Sequence, residues 1–263
     1  VSRVTSYDDD LRLAHVLADA VERVTLPRFR AQDLAVEAKP DLTLVSDADR
    51  DAEELLRSQL ARTRPRDAVH GEEFAPTGHG PRRWVVDPID GTHNFVRGVP
   101  VWGTLIALVV DEDPVLGLVA APALGRRWWA AKGSGAWAGR SLTSASRINV
   151  SGVSRLEDAS LSVSSMTSWD AVGRSEAMLD LARSCWRERG FGDFWSYMLL
   201  AEGAVDIAAE PELALYDMAA LAPIVTEAGG RFTSLSGVDG PFGGNALATN
   251  GLLHDRVLDL IGL

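Results

Sequence analysis

The chain has 263 residues, 46% of them hydrophobic and 24% charged, with a formal net charge of −11 and one cysteine, Cys185. That composition is globular and supplies ample core for one large domain or two subdomains. It leaves no intrachain disulfide, and a uniformly acidic surface is a poor partner for nucleic acid, which needs clustered Lys and Arg. The short Arg pieces at Arg62, Arg64, Arg66 and at Arg82, Arg83 are interrupted and read as solvated surface. No apolar run approaches the ~18 residues of a membrane span. The stretch VSRVTSYDDD has no basic region followed by an apolar one, so a cytoplasmic location is expected.

Leu11, Ala14, Leu17, Val21 and Val24 share one face, which predicts a helix over 8–26 that opens on Asp8, Asp9 and Asp10. A second helix is expected from Ser46, where Ser46 and Asp49 resemble a capping box ahead of Ala52, Leu55, Leu56 and Leu60. From 84 to 138 the runs WVVD, VWGTLIALVV, PVLGLVAAP and RRWWAA read as strands, mostly antiparallel neighbours. The polar stretch 139–147 suggests a boundary between an N-terminal α+β subdomain, 1–142, and a C-terminal α/β subdomain, 143–263. Beyond it come a strand at SLSVS, helices over 175–187 and 194–203, and a strand at VDIAAE. A helix over about 217–228, strands at RFTSL and ALATN, and a last helix from about 253 complete the pattern. This alternation implies a layered α/β half. Pro223 falls inside the 217–228 helix, so a kink or a helix start nearer the proline is expected there.

The chemistry concentrates in acidic residues. In WVVDPIDGTHNF, Asp87 and Asp90 are three apart, and an extended strand would point them to opposite faces. Pro88 and Gly91 permit a turn that brings both carboxylates to one side, and a helix starting near Thr92 would aim free N–H groups at the same place. Taken alone, an Asp-x-x-Asp turn is more often structural than catalytic. The same holds for Asp217, which suits a helix N-terminus, and for Asp47, which suits a helix first turn. Glu72 and Glu73 stand in HGEEF.

Jointly these pieces carry more. GEE at 71–73, WVVDPIDGT at 84–92, YDMAA at 216–220 with TEAGG at 226–230, and DLTLVSDAD at 41–49 resemble, in order and separation, the signatures of the inositol monophosphatase family. The resemblance spans nearly the whole chain. It implies a layered αβαβα sugar-phosphatase fold, α/β (α+β) in class, and Mg²⁺-dependent hydrolysis of a small phosphate ester. It implies one metal held by Glu72, Asp87 and the Ile89 carbonyl, and a second held by Asp87, Asp90 and Asp217, with a third ion possible near Glu72. Four carboxylates within ~4 to 6 Å would repel by roughly 4 kcal/mol for each close pair at an effective dielectric of ~20. A cation makes such a cluster tolerable, and a donor set of oxygens alone suits Mg²⁺ rather than Zn²⁺.

The resemblance further implies that Thr92 and Asp47, with Glu72, serve the attacking water, and that the Gly91 and Thr92 amides hold the phosphate. Asp90, Asp193, Glu210 and Asp217 would meet the substrate, although Asp193 reads equally well as a helix cap after Gly192. His93 departs from the Lys, Thr or Ser usual after DGT and reads as surface variation. FVRGVPVW, APALGRRWWAA, SSMTSW, FGDFWSY and EGAVDIAAEP resemble the branch of the family that cleaves histidinol phosphate to histidinol and phosphate in histidine biosynthesis. An inositol-1-phosphate phosphatase and a non-catalytic metal-binding relative stay open as alternatives. A homodimer is implied by the family alone. Trp128 and Trp129 read as packing, and the SSMTS stretch has no assigned place.

Overall fold

The computed structural model describes residues 6–39 and 43–262; Asp41 and Leu42 of the DLTLVSDAD motif therefore lie outside the described residues. The first half runs α1 (Asp8–Arg28), β1 (Val36–Ala38), β2 (Leu44–Ser46), α2 (Asp47–Thr63), β3 (Ala68–Gly71), β4 (Arg82–Asp90) and α3 (Thr92–Arg97). It continues with β5 (Gly103–Val110), β6 (Asp113–Ala121), β7 (Arg126–Ala131), β8 (Ala136–Ser141) and β9 (Ser144–Ile148). The second half runs β10 (Ser160–Ser162), α4 (Met166–Ala171), α5 (Ser175–Ser184), β11 (Arg187–Arg189), α6 (Asp193–Ala201) and β12 (Ile207–Glu210). It ends with α7 (Leu215–Met218), α8 (Leu221–Glu227), β13 (Arg231–Thr233), β14 (Ala246–Thr249) and α9 (His254–Ile261).

Strands β3 to β9 form one sheet in sequence order, antiparallel except for the parallel β3–β4 pair. A second sheet has the order β11-β10-β12-β14-β13. Alternation along the first sheet explains its nearly continuous apolar runs, because both faces are covered. Trp84, Val86, Ile106 and Leu108 pack against Leu17 and Val21 of α1 and Leu56 and Leu60 of α2. The residues between them, Val85, Leu105, Ala107 and Val109, face the other way, toward Phe194, Tyr197 and Met198 of α6 and Ile224 and Val225 of α8. Those helices also cover Ala208, Phe232, Ala246 and Ala248 of the second sheet. Its far face, Leu161, Ile207, Ala209 and Leu247, meets Trp169 of α4, Met178 and Leu181 of α5, and Val257 and Ile261 of α9. The layers are thus αβαβα, as the sequence implies.

Several local expectations change. The single helix over 217–228 is two helices, and Pro223 is the third residue of α8, where a missing N–H breaks no helical bond. The helix expected over 175–187 ends at Ser184, and Arg187–Arg189 instead forms the edge strand β11. The polar stretch 139–147 is part of the β8–β9 hairpin, so residues 142 and 143 are its turn, and the chain changes sheets between Ile148 and Ser160. The arginines read as solvated surface include partly buried ones: Arg64 and Arg82 converge on the buried Asp10, tying α1 to β4. Trp128 and Trp129 are both buried, on opposite faces of the first sheet.

Candidate active site

Strand β4 delivers Asp87 and Asp90. A break in the β4–β5 register between these two residues, rather than a free turn, cancels the alternation that would separate them. The Ile89 N–H donates to Asp87 Oδ1 at 3.0 Å, which fixes the carboxylate against its own backbone. Gly91 follows with φ of 81°, a conformation that glycine adopts without strain, and turns the chain into α3. Asp217, on α7, completes a cluster. One oxygen from each of Asp87, Asp90 and Asp217 lies within 4.8 Å of the others. The Ala214 N–H holds Asp217 Oδ2 at 2.7 Å, and the Phe194 N–H holds Asp90 Oδ2 at 2.8 Å.

Burial first, then neighbouring carboxylates (Glu72 and Asp90 at Asp87, Asp193 and Asp217 at Asp90), raises the pKa of Asp87 and Asp90 well above the usual carboxylate range. Burial likewise raises Asp217 to about 7, helped by Glu72 and Asp193 and opposed by the Ala214 N–H. Glu72 adds its charge to all three neighbours from the loop after β3. That loop is shaped by a residue the sequence reading passes over. The fully buried Glu53 of α2 accepts the Glu73 N–H at 2.6 Å and the Phe74 N–H at 3.2 Å. A Cβ at Gly71 would fall 2.1 Å from Glu53 Oε1, so a side chain there would have to push the Glu53 carboxylate away from the loop it holds. Lys39 Nζ donates to Glu72 at 2.7 Å and Glu73 at 2.8 Å. A glutamate on the apolar face of α2 is the signal that points to Glu53.

The Thr92 partner is corrected. The sequence reading pairs Thr92 with Asp47, but the Thr92 hydroxyl lies 3.3 Å from Asp49 Oδ1 and 3.0 Å from the Ile89 carbonyl. Asp47 instead accepts from Arg28 at 2.6 Å. The reason is helical phase: residues two apart stand about 200° apart around the axis, so only one of the two acids in SDAD can face β4. Asp49 is fully buried, and its other oxygen accepts the Ser46 N–H at 2.8 Å, so the residue read as a cap also faces the site.

Beyond the aspartates lies a cavity of ≈ 210 Å³ lined by Asp90, Ser164, Asp193, Tyr197, Glu210 and Asp217 among others. Asp193 opens α6 with φ of 47° and accepts from Asn94 Nδ2 at 3.0 Å, while its N–H donates to Ser164 Oγ at 2.9 Å. Ser164 in turn donates its N–H to Glu210 Oε1 at 3.1 Å, and its hydroxyl bonds the same oxygen. The unplaced SSMTS stretch is therefore the link between the two acids. Burial raises Glu210 to about 7, against the pull of Ser164. His93 is exposed.

A five-layered fold with buried carboxylates gathered on a broken strand defines the class, and the family model for the inositol monophosphatase family matches residues 7–260; the chain belongs to that family. Among its relatives, a histidinol-phosphatase of Streptomyces coelicolor is 63% identical over 96% of each chain. One of Mycobacterium tuberculosis is 57% identical over 95% of this chain and 96% of its own. In structure, an IMPase of Thermotoga maritima superposes with a TM-score of 0.86 at 30% identity over 96% of each chain.

Proposed function

We propose that the chain is a Mg²⁺-dependent phosphoric monoester hydrolase that cleaves L-histidinol phosphate to L-histidinol and phosphate. The observation that carries the reading is the coincidence of a buried carboxylate cluster with a second pair of acids, Asp193 and Glu210, across one small cavity. High identity to two histidinol-phosphatases supports the choice of ester.

The donor set fits divalent cations. Asp87, Asp90 and Asp217 converge without a protein cation bonded to any of them among the described residues, and their raised pKa values mark charge in want of a counterion. Glu72, Asp87, the Ile89 carbonyl, Asp90 and Asp217 would hold two to three Mg²⁺ ions. Such ions supply charge neutralisation for the phosphate and acidify water. The Thr92 hydroxyl and Asp49 form the proton relay: Thr92 orients the attacking water and Asp49 takes up its proton through the hydroxyl. The Gly91 and Thr92 amides bind the phosphate. Asp193 and Glu210 face the leaving alcohol and favour a cationic one. The protein works as a cytoplasmic homodimer in histidine biosynthesis; sedimentation at micromolar concentration tests the dimer, and a monomer contradicts it. Among the described residues no helix is long and apolar enough to cross a membrane.

Asp193→Asn tests the substrate reading. A hydrogen bond to a charged group is worth about 1.5 to 3 kcal/mol, or roughly ten- to a hundredfold. The variant should lose that much kcat/KM on histidinol phosphate and far less on glycerol 2-phosphate, with Mg²⁺ affinity unchanged. Equal losses on both esters would assign Asp193 to the fold or the metals.

A further inference from the structure

Tyr197 occupies the second turn of α6, with its ring 5.7 Å from that of Phe232 and 1% of its surface exposed. Its hydroxyl is buried and has no hydrogen-bond partner among the described residues, although it belongs to the wall of the cavity between the aspartates and Glu210. A buried hydroxyl left unpaired is costly, so its presence in a cavity wall points to a polar group that enters the cavity.

The neighbouring acceptors define that group. Glu210 Oε1 is taken by Ser164, which leaves Oε2. Asp193 Oδ2 is taken by Asn94, which leaves Oδ1. Among the described residues no Lys or Arg lines the cavity. Tyr197 thus shares a cavity wall with Glu210 and Asp193, each carboxylate keeping one oxygen without a hydrogen bond among the described residues, and with Asp90 and Asp217 on the metal side. Burial, then Glu210, Asp217 and Asp90, hold the phenol proton in place, so the group is a neutral hydroxyl.

We propose that Asp193, Glu210 and Tyr197 form a three-acceptor nest for a primary ammonium, which makes phosphate monoesters of 2-amino alcohols the substrate class. An ammonium carries three N–H donors directed apart, whereas an imidazole offers at most two in one plane. In a 2-amino alcohol ester the ammonium stands two carbons from the ester oxygen, a span that suits a nest lining the same cavity as Asp90 and Asp217. Tyr197 accepts one N–H and turns its own proton to a carboxylate. This inference rests on the leaving-group assignment of the cavity made above.

The test uses the full-length enzyme with Mg²⁺ and two esters, L-histidinol phosphate and 3-(imidazol-4-yl)propyl phosphate, which lacks only the amine. The wild type should favour the amine ester by about tenfold or more in kcat/KM, and Tyr197→Phe should collapse most of that preference. A second arm needs no variant: L-histidinol should inhibit the wild type more strongly than 3-(imidazol-4-yl)propan-1-ol. Equal wild-type turnover of the two esters, or equal inhibition by the two alcohols, overturns the nest. A preference that survives Tyr197→Phe, or a variant equally slowed on both esters, removes Tyr197 from it. Faster wild-type turnover of inositol 1-phosphate than of either imidazole ester overturns the functional reading and the nest together.

Discussion

Asp47 and Asp49 differ only in helical phase, yet one is bound to Arg28 at the edge and the other is sealed behind Thr92. Asp49 cannot be replaced by its neighbour, because the Ser46 N–H and the Thr92 hydroxyl fix both of its oxygens. Asp49→Asn should lower kcat by about 10²-fold or more, the range of a lost proton acceptor, while Asp47→Asn should stay within severalfold of wild type. Steady-state phosphate release with both variants decides the matter, and the reverse order of effects would restore Asp47 to the relay. The sequence motif SDAD offers two acids, and spacing to DGT does not choose between them. Tyr197 was equally illegible, since a tyrosine between Phe194 and Met198 on an apolar helix reads as core, which its ring is. The convergence of Asp87, Asp90 and Asp217 was legible only through the joint resemblance of their motifs to the family, since each motif alone reads as a turn or a helix N-terminus.

At the scale of elements, the site depends on how tightly β6 meets the α7–α8 junction. A Cβ on Gly117 would fall 2.1 Å from the Ala220 carbonyl and 2.8 Å from Pro223 Cγ, and both are rigid. Ala220 follows α7, the helix that carries Asp217, so a clash relieved on the helix side moves Asp217 against Asp87 and Asp90. Gly117→Ala should therefore cost about 1 to 3 kcal/mol of stability, as overpacked cores do. It should also weaken Mg²⁺ binding, which calorimetry can follow. Unchanged Mg²⁺ affinity in a destabilised variant would separate packing from the site. Pro223 shows why this junction was only partly readable: the residue marks a disturbance in the helix, but only the approach of β6 shows that the chain must break before it. The hairpin of β8 and β9 was missed for a related reason, because its outward residues are polar and its strand character comes from pairing with neighbours.

Over the whole molecule, stability and function meet in buried ionisable groups. His254 is buried between Thr233 and Thr249, at 3.0 and 3.1 Å, and burial, aided by Arg231, lowers its pKa to about 4. His15 is lowered to about 4 by burial and Arg127. In the unfolded chain both rings titrate near ~6.5. The unfolded state thus binds more protons between pH ~6.5 and ~4, so stability is full above that window and falls with pH through it, by up to roughly 1.4 kcal/mol per pH unit for each ring. The raised carboxylates act in the opposite sense, so the readout is a comparison: urea unfolding at pH 7 and pH 5 should show a smaller loss in His254→Gln than in wild type. An equal loss would mean that the ring protonates in the folded state. The alternation of helices and strands made a layered α/β second half legible and the family resemblance supplied the full αβαβα order; its five layers bring Asp49, Asp87, Asp193, Glu210 and Asp217 together from distant segments. That convergence serves one ester. Phosphate release from L-histidinol phosphate and inositol 1-phosphate, with Mg²⁺ and with excess chelator, tests it most directly. Preferred turnover of histidinol phosphate that vanishes with chelator is the predicted result; preferred turnover of inositol 1-phosphate, or turnover undiminished by chelator, would contradict it.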